Sequence, residues 1–323
     1  MASVHPLLSR LPGAPALGLA LLLLLSLGPL RAVPAAAELR PQRLSPHVWL
    51  VQGLSAAGSR ENRNHISNAG LIETPAGWVL VDALGSPALA RELLQLLKIL
   101  GPKPLTHVIL THYHADHVYG LQVFKAAGAQ IIAHEKGREY LNSETAALRL
   151  QASIEEGLVE PGTRLVPADR WISGETTLAP GGLELQLIPV GPAHTPEDLS
   201  VWLPADKLLF AGDLVFRGRV PFVGQADSRR WVVSLDRLLT RPAAIVVPGH
   251  GPASSEAQQD LQLTRDYLAY LRATMGRAAR DMTPFDEAYA ATDWSRYENL
   301  PLFKLANRMN AYNTYLLMEQ ERD

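Results

Sequence analysis

Apolar residues recur along the chain with two different periods, and the alternation between them predicts alternating strands and helices. Short β-rich runs come first, at His47–Val51, Ile66–Ile72 and Trp78–Val81, separated by Gly, Asn and Pro turn signals that suit antiparallel pairing. Ser86-Pro87 then opens a helix on which Leu89, Leu93, Leu96 and Leu100 recur at helical spacing, and Gly101-Pro102 stops it. A buried strand at Val108–Leu110 follows, then a short helix over Val118–Ala127 ended by Gly128, a strand at Ile131–Ala133 and a mostly helical stretch Glu135–Glu156. Strands return at Leu183–Val190, Leu199–Leu203 and Leu208–Phe210. A helix at Arg229–Leu239 and a strand at Ala244–Val247 complete an α/β pattern. Over about the last 65 residues the period is helical throughout: Leu261, Leu268, Leu271 and Met275 share one face, and Leu305, Met309, Tyr312 and Leu316 another.

The N-terminus follows a different rule. An uncharged stretch between Arg10 and Arg31, almost pure Leu, Ala and Gly from Leu17 to Leu27, is followed by Ala35-Ala36-Ala37. This is the pattern of a secretory signal peptide over residues 1–37, with cleavage expected after Ala37. The strongly apolar core is shorter than the roughly 20 residues of a spanning helix, and Pro12, Pro15 and Pro29 interrupt its flanks, so no stable membrane insertion is expected after cleavage. The expected location is secreted, in the periplasm.

Charge and composition narrow the chemistry. The 30 Lys and Arg against 32 Asp and Glu leave a net charge of -2, so no broad basic face exists to track a phosphate backbone, and nucleic acid is not an expected partner. There is no cysteine, which excludes disulfides, a thiolate nucleophile, Cys-ligated zinc and iron–sulfur clusters. Any metal must sit on His and carboxylates.

Three of the ten histidines fall in Thr111-His112-Tyr113-His114-Ala115-Asp116-His117, directly after a buried strand. Residues two apart in an extended segment point the same way, so His112 and His114 suit one ion, and Asp116 and His117 are aimed at a neighbouring position. One loop cannot close two coordination spheres. Further candidates follow later apolar strands: His194 in Gly191-Pro-Ala-His-Thr-Pro196, Asp213 in Phe210-Ala-Gly-Asp213 and His250 in Val247-Pro-Gly-His-Gly251. Placement at strand ends predicts that they gather at one edge of the sheets. His65, in Asn62-Arg-Asn-His65, is a weaker candidate for lining the cleft, with a surface turn as its simpler reading. Arg217 and Arg219 are candidates for binding a substrate anion.

With Asp82 ending an early strand, the His112–His117 loop, His194, Asp213 and His250, the chain resembles the metallo-β-lactamase superfamily over about residues 44–255. Asp at 213 is similar to glyoxalase II and related hydrolases, whereas true β-lactamases commonly carry Cys or Ser there. Arg219-Val-Pro221, the helix containing Trp231 and Asn310-Ala-Tyr-Asn-Thr-Tyr315 are similar to the exported quinoprotein relay system zinc metallohydrolases. The resemblance implies a four-layer αβ/βα sandwich with a C-terminal helical extension over 256–323. It further implies two zinc ions: His112, His114 and His194 hold one, Asp116, His117 and His250 the other, and Asp213 bridges both. Zinc lowers the pKa of a shared water to about 7, so the expected reaction is hydrolysis of a thioester or ester of a small acyl substrate by a metal-bridging hydroxide, with Asp116 orienting it. Asp82 is expected to fix a loop rather than bind metal.

Other readings share these residues. β-Lactam hydrolysis and a persulfide dioxygenase using one iron occur on the same fold. A non-enzymatic role is a zinc-holding accessory protein of an exported redox system, since a ligand set implies binding rather than turnover. A flavodiiron oxidoreductase is disfavoured, because it would carry a carboxylate where His114 stands.

Overall fold

A computed structural model describes residues 39–224 and 226–321; the expected signal peptide lies outside them. Its first sheet has seven strands side by side in chain order: β1 (Pro41–Arg43), β2 (Val48–Val51), β3 (Ala69–Thr74), β4 (Gly77–Val81), β5 (Leu105–Ile109), β6 (Gln130–His134) and β7 (Arg170–Ile172). Pairing is antiparallel from β1 to β4 and parallel from β4 to β7. The second sheet has five strands, β8 (Thr176–Leu178), β9 (Leu185–Pro189), β10 (Leu199–Leu203), β11 (Leu208–Phe216) and β12 (Ile245–His250), with only the β11–β12 pair parallel. Helices α1 (Pro87–Leu100), α2 (Ala115–Val118), α3 (Leu121–Ala126), α4 (Gly137–Leu141) and α5 (Glu144–Glu155) fall between strands of the first sheet. Helix α6 (Ser228–Leu239) connects β11 to β12, and α7 (Ala257–Arg280), α8 (Phe285–Ala291) and α9 (Phe303–Gln320) follow. Among the described residues no helix is long and apolar enough to cross a membrane.

Three apolar layers hold this together. Val48, Leu50, Ile72, Val79 and Ile109 of the first sheet meet Leu187, Val201, Leu203 and Phe210 of the second, which joins the sheets face to face. Leu89, Leu93 and Leu97 of α1 and Phe124 of α3 cover the outer side of the first sheet. Trp231, Leu235 and Leu238 of α6 and Leu261, Leu268, Leu271 and Met275 of α7 cover the second. The result is the helix–sheet–sheet–helix sandwich that the resemblance implies, with each fully buried Leu contributing about 1.5–3 kcal/mol.

The boundaries follow local chemistry. Ser86 caps α1 by accepting from the Leu89 N–H at 3.3 Å, and Pro87 occupies the first turn, where its missing donor costs nothing. The predicted helix Val118–Ala127 is two short ones, because the Ala83 N–H donates to the His117 carbonyl (2.8 Å) and the Gly120 N–H to the Leu84 carbonyl (3.2 Å), which diverts backbone bonding from a continuous helix. The stretch 135–156 is likewise divided at Ser143, whose side chain caps α5 by accepting from Ala146. Strand β11 runs six residues past its expected end at Phe210. Gly212 has a φ of 57° at an irregular step in the β11–β12 register, and this bulge keeps Asp213 within the strand while re-aiming it. Asp213 therefore does not follow a strand, as its sequence context suggested.

The second helical face of the C-terminal region is turned outward. Leu305, Met309, Tyr312 and Leu316 are exposed, and α9 packs through Ala306, Asn310, Ala311 and Thr314 instead. Leu50→Ala, between the sheets, is therefore expected to cost about 2–5 kcal/mol by urea unfolding. Leu305→Ala, at 64% exposure, is expected to stay within about 0.5 kcal/mol.

Candidate metal centre

The C-terminal ends of β4, β5, β9, β11 and β12 converge at one edge of the sandwich, and each brings a polar residue. The segment after β5 carries His112 and His114, α2 carries Asp116 and His117, the β9–β10 loop carries His194, β11 carries Asp213, and His250 is the last residue of β12. Backbone bonds across the sheets tie this edge together: the Leu199 N–H donates to the Thr111 carbonyl at 2.8 Å and the Asn68 N–H to the Gly249 carbonyl at 2.9 Å.

These side chains form two groups whose potential ligand atoms lie within 4.8 Å of one another: His112, His114, His194 and Asp213 in one, Asp116, His117 and His250 in the other. Asp213 lies between them. Its Oδ2 is 3.4 Å from both His194 Nε2 and His250 Nε2 and 3.8 Å from His112 Nε2, and its Oδ1 is 3.3 Å from His117 Nε2. Asp116 Oδ2 is 3.3 Å from His250 Nε2 and 3.5 Å from His117 Nε2. His194 Nε2 and His114 Nδ1 face each other at 3.0 Å, so their lone pairs, when both are deprotonated, converge on a common point.

The surroundings fix which ring nitrogen each histidine presents. His117 Nδ1–H donates to Asp82 Oδ2 (2.8 Å), and His250 Nδ1–H to the Ile66 carbonyl (2.7 Å). Thr111 Oγ1 donates to Asp82 Oδ2 at 2.8 Å, so it accepts from His112 Nδ1 at 3.0 Å. In its neutral form each of these rings presents a bare Nε2 to the centre. The buried Nε2 atoms of His112 and His117 and Oδ1 of Asp213 have no hydrogen-bond partner, and a divalent cation satisfies such a set. The residues thus fit a metal held by imidazole and carboxylate.

Burial and mutual charge set the protonation pattern. Burial holds His112 well below its ordinary pKa and drives His114 to about 3 and His194 to about 4. For His117 the same burial penalty is outweighed by Asp116, Asp213 and Asp82, which hold it well above 6.5. For His250 it is outweighed by Asp213 and Asp116, which push the imidazole up to about 9. Burial raises Asp116 and Asp213 too, but His117 and His250 beside them reverse the sign and keep both ionised. Without metal, His117 and His250 therefore carry protons at neutral pH that ligation must displace.

Asp82 stands behind the candidate ligands, with a φ of 65° that a non-glycine residue seldom adopts. Its carboxylate accepts from the Thr111 N–H (2.8 Å), Thr111 Oγ1 and His117, and so fixes the start of the ligand loop. Sequence reading missed three other positioning residues. Asn68 donates to the Pro248 and Gly251 carbonyls at 2.7 and 2.8 Å and braces the turn bearing His250. Asp198 accepts from the Thr195 N–H and Oγ1, both at 2.8 Å, and braces the His194 loop. Glu197 accepts from the Tyr113 N–H at 3.2 Å. An acid four residues after His194 was a visible signal; Asn68 had none. His65 lies outside both groups. It is buried in the 52–68 loop, where burial lowers its pKa to about 4, and its Nε2 has no partner. Arg217 is engaged by Asp260 at 3.1 Å, whereas Arg219 lies beside His250.

A family model described as "Metallo-beta-lactamase superfamily" matches residues 63–250, more than half of the chain. The chain belongs to the metallo-β-lactamase superfamily. It is 30% identical over 190 residues to the metallo-β-lactamase type 2 of Bacillus cereus, covering 57% of this chain and 67% of that one. It is 25% identical over 240 residues to a linear primary-alkylsulfatase of a Pseudomonas species, covering 62% of this chain but only 45% of the relative. Among solved structures, an inverting sec-alkylsulfatase from Pseudomonas shares the fold with a TM-score of 0.68 at 19% identity, over 86% of this chain and 50% of that one.

For this superfamily member the protonation pattern gives a test. Filling the site from the metal-free state at pH 7 is expected to release about two protons, from His117 and His250, and apparent affinity is expected to rise with pH above neutrality as both imidazoles lose their protons. Zinc calorimetry in buffers of different ionisation enthalpy measures the number; a value near zero would contradict the pattern.

Proposed function

We propose that this metallo-hydrolase holds two zinc ions and cleaves a thioester or activated ester of a small acyl substrate in the periplasm. The position of Asp213 between the two ligand groups is the observation that carries the reading. His112, His114 and His194 would hold one ion, Asp116, His117 and His250 the other, and the Asp213 carboxylate would serve both. Zinc bound there supplies a water with a pKa of about 7 and a Lewis acid for the acyl oxygen. The chain's own contribution is orientation. Half-buried Asp116, kept ionised by its imidazole neighbours, sits where it can accept a hydrogen bond from that water and aim its oxygen.

The choice of bond rests on the leaving group. Asp116 and Asp213 are both held ionised, so neither stores a proton for a departing amine. Thiolates and stabilised alkoxides leave without that help. Asp213 also adds negative charge between the ions and weakens their pull on an amide nitrogen. The relatives named metallo-β-lactamases support lactam hydrolysis on the same scaffold, and the alkylsulfatase relative supports sulfate esters, so the panel includes both.

The test is a hydrolysis panel on the zinc-loaded mature protein, with His114→Ala as control: S-lactoylglutathione, an aryl ester, a cephalosporin and a primary alkyl sulfate. Thioester or aryl ester turnover is expected to exceed the other two by at least about tenfold in kcat/KM. Lactam turnover above both would overturn the leaving-group argument. A single tightly held iron would favour the dioxygenase reading, and a loaded protein inert to every substrate the accessory role. Asp213→Ala is expected to lose activity together with part of the metal. Export is checked by N-terminal sequencing, expected to read from Glu38; an intact Met1 chain in the membrane fraction would indicate an anchor.

A further inference from the structure

The outward face of α9 is an apolar seam open to solvent. Leu305, Met309, Tyr312 and Leu316 are between 37% and 64% exposed. They lie alternately four and three residues apart, which sets them in one line along the helix, the spacing of a seam that packs on another helix. Phe285 of α8 widens the seam, its ring edge-on to Tyr312 at 5.0 Å, and the exposed Met282 stands in the turn before α8. Single exposed apolar residues are ordinary, but a continuous line of them marks a contact surface.

The helix cannot roll to bury this seam, because its inner face is committed. Tyr267 Oη donates to Asn307 Oδ1 at 2.8 Å and accepts from Asn310 Nδ2 at 2.9 Å. Asn310 also donates to the Pro221 carbonyl at 2.7 Å and accepts from the Val223 N–H at 2.9 Å. Both amides are fully buried, so a rotation of α9 would leave several polar groups unpaired, at about 1–3 kcal/mol each.

The seam is symmetric about its own midpoint, between Asn310 and Ala311. In an antiparallel arrangement of two such helices, Leu305 falls opposite Leu316 and Met309 opposite Tyr312, as a two-fold axis requires. The charges follow the same symmetry. Lys304 is in the first turn of α9 and Glu319 in the last, each of the sign that the helix dipole disfavours at that end. A second, antiparallel α9 places an opposite charge and an opposite dipole end beside each of them. A membrane surface fits less well, since a helix lying on one carries an excess of Lys and Arg around its apolar face. Here the exposed Lys304 and Arg308 stand among Asp286, Glu287 and Glu319.

We infer that this face is a homodimer interface, in which α9 packs antiparallel on α9 of a second copy about a two-fold axis at Asn310–Ala311. Leu305 and Met309 meet the partner's Leu316 and the partner's Tyr312, and Lys304 lies beside the partner's Glu319. The 18-residue helix offers a seam of about 27 Å, short for a permanent interface, so the dimer dissociates on dilution.

The test is sedimentation velocity on the mature zinc-loaded protein over a dilution series, expected to show a reversible dimer. Met309→Glu, an exposed position where the fold tolerates charge, puts a carboxylate into the seam of both copies and is expected to weaken association at least about tenfold. Lys304→Glu is expected to weaken it several-fold, and Lys304→Glu combined with Glu319→Lys to restore it. The absence of cysteine gives the orientation: Leu305→Cys and Leu316→Cys proteins are expected to cross-link when mixed and oxidised, and neither to cross-link alone. A monomer at every concentration, a dimer that Met309→Glu leaves intact, or Leu305→Cys cross-linking to itself would overturn the assignment. Binding to phosphatidylglycerol vesicles that Met309→Glu abolishes would put a membrane on the seam and overturn it as well.

Discussion

The carboxylate of Asp213 is buried and surrounded by four imidazole nitrogens, and the rest of the site depends on that crowding. So many bare lone pairs and anionic oxygens repel one another unless protons or cations lie between them. Protons on His117 and His250 do this in the metal-free chain, and divalent ions are the substitute. The backbone makes room for it. A Cβ on Gly249 would lie 1.8 Å from Asp213 Oδ1, so the β12 turn can approach the carboxylate only as glycine. Asp82 holds a left-handed φ because three hydrogen bonds to its carboxylate offset the strain and fix the ligand loop.

The candidate ligands were legible in the sequence because metal chemistry demands particular residue types at short spacing after apolar strands, and few other pressures place His112, His114, Asp116 and His117 together. Leu89 and Leu93 on α1, and the strands around Val79 and Val201, were legible for the related reason that burial imposes a period. Interactions between distant segments were not. Asn68 braces a turn about 180 residues away, and no local pattern marks it. The short edge strands β1, β7 and β8 carry too few apolar residues to register. The stripe Leu305–Leu316 marked the helix but not its packing face, because α9 packs against α7 through small and polar groups. Asn307 and Asn310 exchange hydrogen bonds with Tyr267, and the larger side chains are turned outward.

The C-terminal helices share one apolar core with the second sheet, and Trp231 of α6 reaches from that core to the ring of His194 at 5.2 Å. His194 Nδ1 has no oxygen or nitrogen partner, and its ring is held edge-on between Phe216 and Trp231. Two candidate ligands, His194 and His250, are thus positioned partly by aromatic packing continuous with the helical region. This gives the helices a mechanical connection to the centre that a surface appendage would lack.

In the proposed centre the two candidate ligand groups bind two ions with Asp213 between them. Anomalous diffraction at the zinc absorption edge, from crystals of the zinc-loaded protein, tests it most directly. Two peaks are expected, one among His112, His114 and His194 and one among Asp116, His117 and His250, both touching Asp213. A single peak at full zinc loading, or two peaks with the Asp213 carboxylate turned away, would contradict it.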